Sequence, residues 1–282
     1  MSSNPRSIPQ ALTGQVAIVT GGGRGIGRAI AQALARQGAA VAVTARSGEQ
    51  LAETVALITV AGGRAIAVPA DVTAPPAVER VVIQTEQQLG PVDLLVNNAG
   101  VAGPIGPLWE IAPEEWWRAV GTHVYGMVLY AHAVLPGMVA RHRGRIITVA
   151  SATSSGTFPY ASSYGCAKAA QVYLTETLAA ETQAHNVYMF AIYPGLVRTA
   201  MTQEVQQSAA AQQWLPQHQA RYALEESYVP PERATQLVTF LATGQGDGLS
   251  GRYLSIADDV ADLARRAEDL QRQNLYVLRL QR

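Results

Sequence analysis

The segment that most constrains this chain is Val16-Ala17-Ile18-Val19-Thr20, an unbroken apolar run that ends in the turn Gly21-Gly22-Gly23-Arg24-Gly25-Ile26-Gly27. A short continuous apolar run marks a strand covered on both faces, as strands are inside a parallel sheet. The turn opens a helix over 25–37 that stops at Gly38, and 41–45 reads as the following strand. Parallel neighbours need a crossover connection, and the helix supplies it. These residues therefore predict one βαβ unit near the middle of a sheet.

The alternation continues with a helix over 49–60, a strand over 64–69, a helix over 75–89 and a strand over 92–96. A long helical stretch from Pro113 to about His142 leads into a strand over 145–149, a Ser/Thr/Gly-rich loop, the helix carrying Tyr164 and Lys168, and a sixth strand over 187–193. Past Pro194 the Gln/Ala-rich segment from about 200 to 229 reads as a helical lid whose apolar residues include Trp214, Leu215, Tyr222, Leu224 and Tyr228. Its aromatics point to an apolar ligand body, with packing of Trp214 against a neighbouring subunit as the alternative. A helix over 231–242 and a strand over 253–257 finish the sheet, and Asp258-Asp259 caps a further helix to about Gln273, before an apolar tail over 275–280. The predicted fold is α/β: a single doubly wound Rossmann domain over 1–282, its parallel sheet of about seven strands flanked by helices on both faces. The lid and a C-terminal extension from about 258 to 282 decorate it.

Lys and Arg together number 21, as do Asp and Glu, so the formal net charge is zero. Nothing here draws the chain to phosphate backbones or anionic lipid, and no nucleic-acid partner is expected. Cys166 is the single cysteine and Met1–Arg6 lacks the apolar core of a signal peptide, which favours a reducing cytoplasm. No apolar run reaches the roughly 20 residues that span a bilayer, so no membrane association is expected. His132, His142, His185 and His218 show no metal-ligand spacing, and no catalytic metal is expected.

Tyr164 and Lys168 stand four residues apart and share a helix face, so an ammonium can lie beneath the phenol and favour its ionised form. A free tyrosine, with a pKa of about 10, is a poor base at neutral pH; lowering it by roughly three units takes about 4 kcal/mol. The glycine turn can seat a dinucleotide pyrophosphate on a helix N-terminus. A carboxylate at the end of the second strand would accept from a ribose diol, but Ala45 stands there, followed by Arg46, with Arg24 projecting from the turn. Two guanidinium groups suit a 2′-phosphate and thus NADP(H) over NAD(H); solvated surface charges are the alternative.

The run Thr-Gly-x-x-x-Gly-x-Gly at Thr20, followed by Tyr-x-x-x-Lys at Tyr164, resembles the short-chain dehydrogenase/reductase family, and the likeness extends to about Ala257. The resemblance implies an NADP-dependent oxidoreductase that interconverts a small-molecule ketone and a secondary alcohol, assembled as a homodimer or homotetramer. It implies that Gly21, Gly25 and Gly27, with Ile26 between, hold the cofactor; that Asp71 and Val72 meet the adenine; and that Asn97-Asn98-Ala99-Gly100 is the family's Asn-Asn-Ala-Gly. In the Pro194-Gly195 loop, Val197 would meet the nicotinamide carboxamide and Thr199 would lie near the pyrophosphate. Tyr164 would be general acid in reduction and general base in oxidation, Ser151 would donate to the substrate oxygen, and Lys168 would hold the nicotinamide ribose. Structural readings remain beside these, with Asp71 as a helix cap and Asn97–Gly100 as an ordinary turn.

One position departs from the family. An Asn is usual where this chain has His123-Val124-Tyr125-Gly126, so either His123 replaces it in a proton relay, changing charge near its reference pKa of about 6.5, or it is a packed helix histidine. A catalytically silent NADP-binding regulator is the competing class of function, disfavoured by the presence of Ser151, Tyr164 and Lys168. Enoyl reductases and dehalogenases of the same family show departures in the tyrosine–lysine spacing, the lysine or the glycine turn that are not seen here.

Overall fold

A computed structural model describes residues 10–280 of the chain, so the Met1–Arg6 reading lies outside the described residues. Seven strands form one sheet: β1 (Val16–Thr20), β2 (Ala40–Thr44), β3 (Arg64–Ala67), β4 (Leu94–Asn97), β5 (Gly144–Val149), β6 (Val187–Tyr193) and β7 (Tyr253–Ser255). Every pairing is parallel and the order across the sheet is β3-β2-β1-β4-β5-β6-β7. The order reverses between β1 and β4. In sheets of this kind a crevice opens beyond the carboxyl ends of the strands at that reversal.

Strand β1 is buried along its whole length, and its side chains alternate between two cores. Ala17 and Val19 face α1 (Gly25–Arg36), α2 (Gly48–Val60) and α10 (Pro231–Ala242) through Leu34, Leu51 and Leu241. Ile18 faces the other layer, where α3 (Pro75–Gln88) and α5 (Gly126–Ala140) bring Val81, Tyr130 and Val134. Each such side chain taken out of water contributes about 1.5–3 kcal/mol, which explains why a sequence with no amphipathic alternation in its strands settles between two helical layers.

The long helix expected over 113–142 is interrupted. It comprises α4 (Pro113–Val120), a π turn (Gly121–Tyr125) in which the Gly126 N–H reaches back to Gly121 O, and α5. Such single π turns carry one extra residue and gather at functional sites. The combined run Pro113–Ala140, 28 residues, is long enough and, over an 18-residue window, apolar enough to cross a membrane by length and composition alone. Here its Met127, Tyr130, Ala131, Val134 and Met138 are buried in the domain core.

The lid is helical: α7 (Ala200–Gln207), α8 (Ala209–Trp214) and α9 (Pro216–Ala223), closed by a 3₁₀ turn at Glu225–Ser227. Trp214 packs within the chain, its ring 4.9 Å from that of Tyr160. The single C-terminal helix expected to Gln273 is instead two short ones, α11 (Val260–Arg265), capped by Asp259, and α12 (Ala267–Arg272). The tail then folds back: Tyr253 N donates to Tyr276 O at 2.8 Å, Leu278 packs on Ala150, Val172 and Ala191, and Arg279 pairs with Glu176. Here α6 (Ser162–Thr182) supplies Val172 and Glu176.

The β1–α1 turn depends on glycine at two kinds of position. Gly21 and Gly25 have φ of +64° and +56°, the left-handed region. Gly27 has ordinary φ but no room: a Cβ there would lie 2.5 Å from Asn98 Nδ2 and overlap the carbonyl oxygen of Gly21. Gly27→Ala should therefore destabilise the fold by about 1–3 kcal/mol, read as a lower urea midpoint at unchanged slope; a midpoint equal to wild type would show that the turn can move aside.

Candidate functional site

A cavity of about 670 Å³ opens over the carboxyl ends of β1, β4, β5 and β6, and it is bounded on the outside by the lid. Of the residues singled out from the sequence, it is lined by Gly21, Arg24, Gly25, Ile26 and Gly27 of the turn, Arg46, Asp71, Val72, Ala99 and Gly100. His123, Ser151, Tyr164, Lys168, Pro194, Gly195, Val197 and Thr199 line it too. Asn97 does not: it lies buried beneath, its Nδ2 without a partner. Its neighbour Asn98 reaches the cavity and fixes the turn, donating from Nδ2 to Thr20 O at 2.9 Å and to Gly21 O at 3.3 Å. The Asn98 and Ala99 N–H groups donate to Thr20 Oγ1 at 2.9 and 3.0 Å.

The turn fits a pyrophosphate. Its glycines line the cavity, packed so closely on Asn98 and on the turn itself that Gly21 and Gly27 have no room for a side chain, and it leads into the N-terminus of a twelve-residue helix with no acidic residue in its first turn. Arg24 is 3.6 Å from Glu204 of α7, a half-exposed pair that ties turn to lid, while Arg46 is exposed. Asp71 accepts from the backbone and hydroxyl of Thr73 at 2.8 and 2.7 Å, which hold its carboxyl below the usual range. One carboxylate oxygen is thus committed to the local loop.

Ser151 follows β5, and its backbone is pinned on both sides. Its N–H donates to Ser154 Oγ at 3.3 Å, and its carbonyl accepts from Tyr253 Oη at 2.6 Å. Tyr164 and Lys168 rise from one face of α6, with Lys168 Nζ 5.7 Å from the centre of the Tyr164 ring. The lysine is 4% exposed and makes no ion pair among the described residues; its donors go to Val149 O at 2.7 Å and Gln171 Oε1 at 3.0 Å. Burial lowers its pKa to about 7.

In the chain by itself Tyr164 leans to its protonated form. Burial raises its pKa to about 12, Tyr222 and Tyr193 push the same way, and the hydrogen bond with Ser151 only partly offsets them. The phenol is thus a proton holder, because removing water from an anion outweighs the Ser151 hydrogen bond. For His123 the electrostatics favour a neutral ring. Burial, then the Lys168 charge, lower its pKa to about 3, so it does not change charge near neutrality. Its Nε2 lies 2.8 Å from Val101 O and 3.3 Å from Val101 N, so it donates to the carbonyl in one tautomer and accepts from the N–H in the other, while Nδ1 is buried and unpartnered among the described residues. The ring stands edge-on to Tyr164 at 5.5 Å.

Several lining residues were not singled out from the sequence for this role: Tyr193, His218 and Arg221, the last two from α9. Phe158 and His218 stack edge to face at 4.6 Å across the mouth, and Arg221 lies 3.4 Å from Tyr193 Oη. Tyr193 had a signal, as the last residue of a strand before Pro-Gly. The α9 residues had none, since only the tertiary position of the lid brings them in.

The sequence profile of the short chain dehydrogenase family matches residues 15–210. A short chain dehydrogenase of Pseudocercospora fijiensis (strain CIRAD86) is 35% identical over 274 residues, covering 94% of this chain and 87% of its own. A 3-oxoacyl-[acyl-carrier-protein] reductase of Synechocystis sp. (strain ATCC 27184 / PCC 6803 / Kazusa) is 36% identical over 234 residues, 83% of this chain and 91% of its own. Among solved structures, a variant of the actinorhodin polyketide ketoreductase with NADPH superposes with a TM-score of 0.78 at 30% identity, covering 88% of this chain and 97% of that one.

The depressed lysine pKa has a consequence for stability. Between the folded value of about 7 and the reference value of 10.5 the unfolded chain binds a proton that the folded chain does not, so wild-type stability rises with pH through that window. Lys168→Met removes this dependence, and the cost of its orphaned acceptors is common to both pH values. Urea unfolding at pH 6.5 and 9.5 should show wild type gaining on the order of 3 kcal/mol relative to the variant; parallel curves would contradict a depressed lysine.

Proposed function

Because the chain belongs to the short chain dehydrogenase family, we propose that it is an NADP(H)-dependent oxidoreductase that interconverts a ketone and a secondary alcohol, with Tyr164 as the proton-transferring group. The observation that carries this reading is that Ser151, Tyr164 and Lys168 line the same cavity as the glycine turn. A protonated phenol, the state burial favours here, is the state reduction uses. When bound, the dihydronicotinamide supplies the hydride. Tyr164 gives its proton to the carbonyl oxygen as charge develops there, while the Ser151 hydroxyl donates to the same oxygen and keeps it within reach. Lys168 has three N–H donors and spends two on Val149 and Gln171, so one is left for ribose hydroxyls.

Arg24 and Arg46, with no carboxylate at the end of β2, support a 2′-phosphate in preference to a bare ribose diol. The ketoreductase named above, which holds NADPH, supports the same choice. Phe158, Tyr193, Tyr222, Leu215 and Met201 around the outer cavity suit a ketone with an apolar body. The exposed Trp117, Tyr125, Val128 and Tyr173 of α4, the π turn, α5 and α6 form an apolar face suited to pairing with a second copy.

Two variants test the reading against a panel of ketones, followed by NADPH absorbance. Tyr164→Phe should lower kcat/KM by about 10²–10⁴ while nucleotide binding, followed by NADPH fluorescence, persists; a fully active variant would remove the tyrosine from the chemistry. Arg46→Asp should cut the preference for NADPH over NADH about tenfold or more, since a charge-assisted hydrogen bond contributes about 1.5–3 kcal/mol. An unaltered preference would refute the phosphate assignment.

A further inference from the structure

Between Lys168 and the π turn lies a buried side chain that the reaction scheme above does not use. Gln171, 2% exposed and one turn beyond the lysine on α6, accepts from Lys168 Nζ at 3.0 Å and donates from Nε2 to the backbone carbonyl of His123 at 2.9 Å. Both ends fix its orientation. Rotating the amide by half a turn would set its oxygen against a carbonyl oxygen and its NH₂ against an ammonium, losing both bonds at once. An amide oxygen is therefore held facing the lysine by a backbone group on a different element, the π turn between α4 and α5.

We propose that Gln171 is a positioning residue: its amide, braced by the His123 carbonyl, keeps Lys168 charged and held beside Tyr164. With Val149 O it completes a pair of neutral acceptors around an ammonium that has no carboxylate partner among the described residues. The titratable groups facing this centre are Tyr164 on α6 itself and His123 from the π turn; beyond the phenol stand Tyr193 of β6 and Tyr222 of α9. No carboxylate faces the ammonium among the described residues, so the acceptors are what offsets burial of the cation. The link to turnover rests on the oxidoreductase reading; the effect on the lysine does not.

Lys168 is the sole lysine of the chain, the other basic residues being arginine. Protein labelled with ¹³Cε-lysine therefore gives one lysine resonance, whose titration reads this group directly. Gln171→Leu should move its midpoint down by about one pH unit, a tenfold change in acid constant equal to about 1.36 kcal/mol. Gln171→Glu, close to isosteric, should move it up. The pH profile of kcat should shift with the lysine midpoint in each variant while the ketone KM stays within about twofold, a pattern that lost packing would not give. Midpoints that coincide with wild type in both variants would overturn the proposal, and if the leucine variant does not fold, the glutamate variant decides it alone. A wild-type enzyme inert on every ketone would sink the oxidoreductase reading, while the titration would still judge Gln171.

Discussion

The contact on which this structure turns is the seam between the ends of β1 and β4. Asn98 bonds the carbonyls of Thr20 and Gly21, and the Thr20 hydroxyl takes the N–H groups of Asn98 and Ala99. The carbonyls of Thr20 and Gly21 and the N–H groups of Asn98 and Ala99 are thus answered within the chain, as a buried backbone requires, while Nδ2 of Asn97 is left without a partner among the described residues. The sheet order reverses across this seam, so α1 leaves one face and the chain following β4 leaves toward the other. A crevice must open there, and the glycine turn forms its floor because Gly27 lets α1 start against the turn itself.

Within that crevice burial, more than pairing of charges, sets the protonation states. Tyr164 holds its proton, His123 stays neutral and Lys168 is brought close to neutrality, and in each the leading cause is loss of water. All three groups are pushed toward their uncharged forms, the direction expected where no ion of opposite sign is near. Two neutral oxygens, of Val149 and Gln171, are what face the buried ammonium. A site arranged in this way favours the protonated phenol over the phenolate, with the Ser151 hydrogen bond only partly offsetting the loss of water.

Much of this was legible in the sequence because the signals are local. Apolar runs gave all seven strands to within a few residues, and the glycine turn, Ser151, Tyr164 and Lys168 stand where short-range pattern puts them. What escaped depended on tertiary context. The π turn at Gly121–Tyr125 leaves no compositional mark, since a helix with one added residue keeps the same apolar content. The sign of the tyrosine shift required knowing how completely the site excludes water, which spacing on a helix cannot supply. Gln171 reads from the sequence as an ordinary polar helix residue; only the approach of the π turn gives its amide a second partner. The C-terminal helix broke in two because Arg266 adopts a non-helical backbone between α11 and α12, and nothing in its residue type announces that.

The C-terminal tail shows how a segment far from the chemistry bears on it. Strand β7 is the outermost of the sheet, three residues long, and its free edge would expose unpaired N–H and C=O groups. The tail covers that edge: Tyr276 O takes the Tyr253 N–H, while Arg279 and Leu278 fasten the tail to α6 and the small cluster under β6. Tyr253 in turn reaches across β6 to the carbonyl of Ser151. Ser151 is therefore held from behind by a side chain whose own backbone is held by the tail. The hydroxyl position at the end of β5 is in this way a property of the whole sheet, set at its last strand as well as at its first.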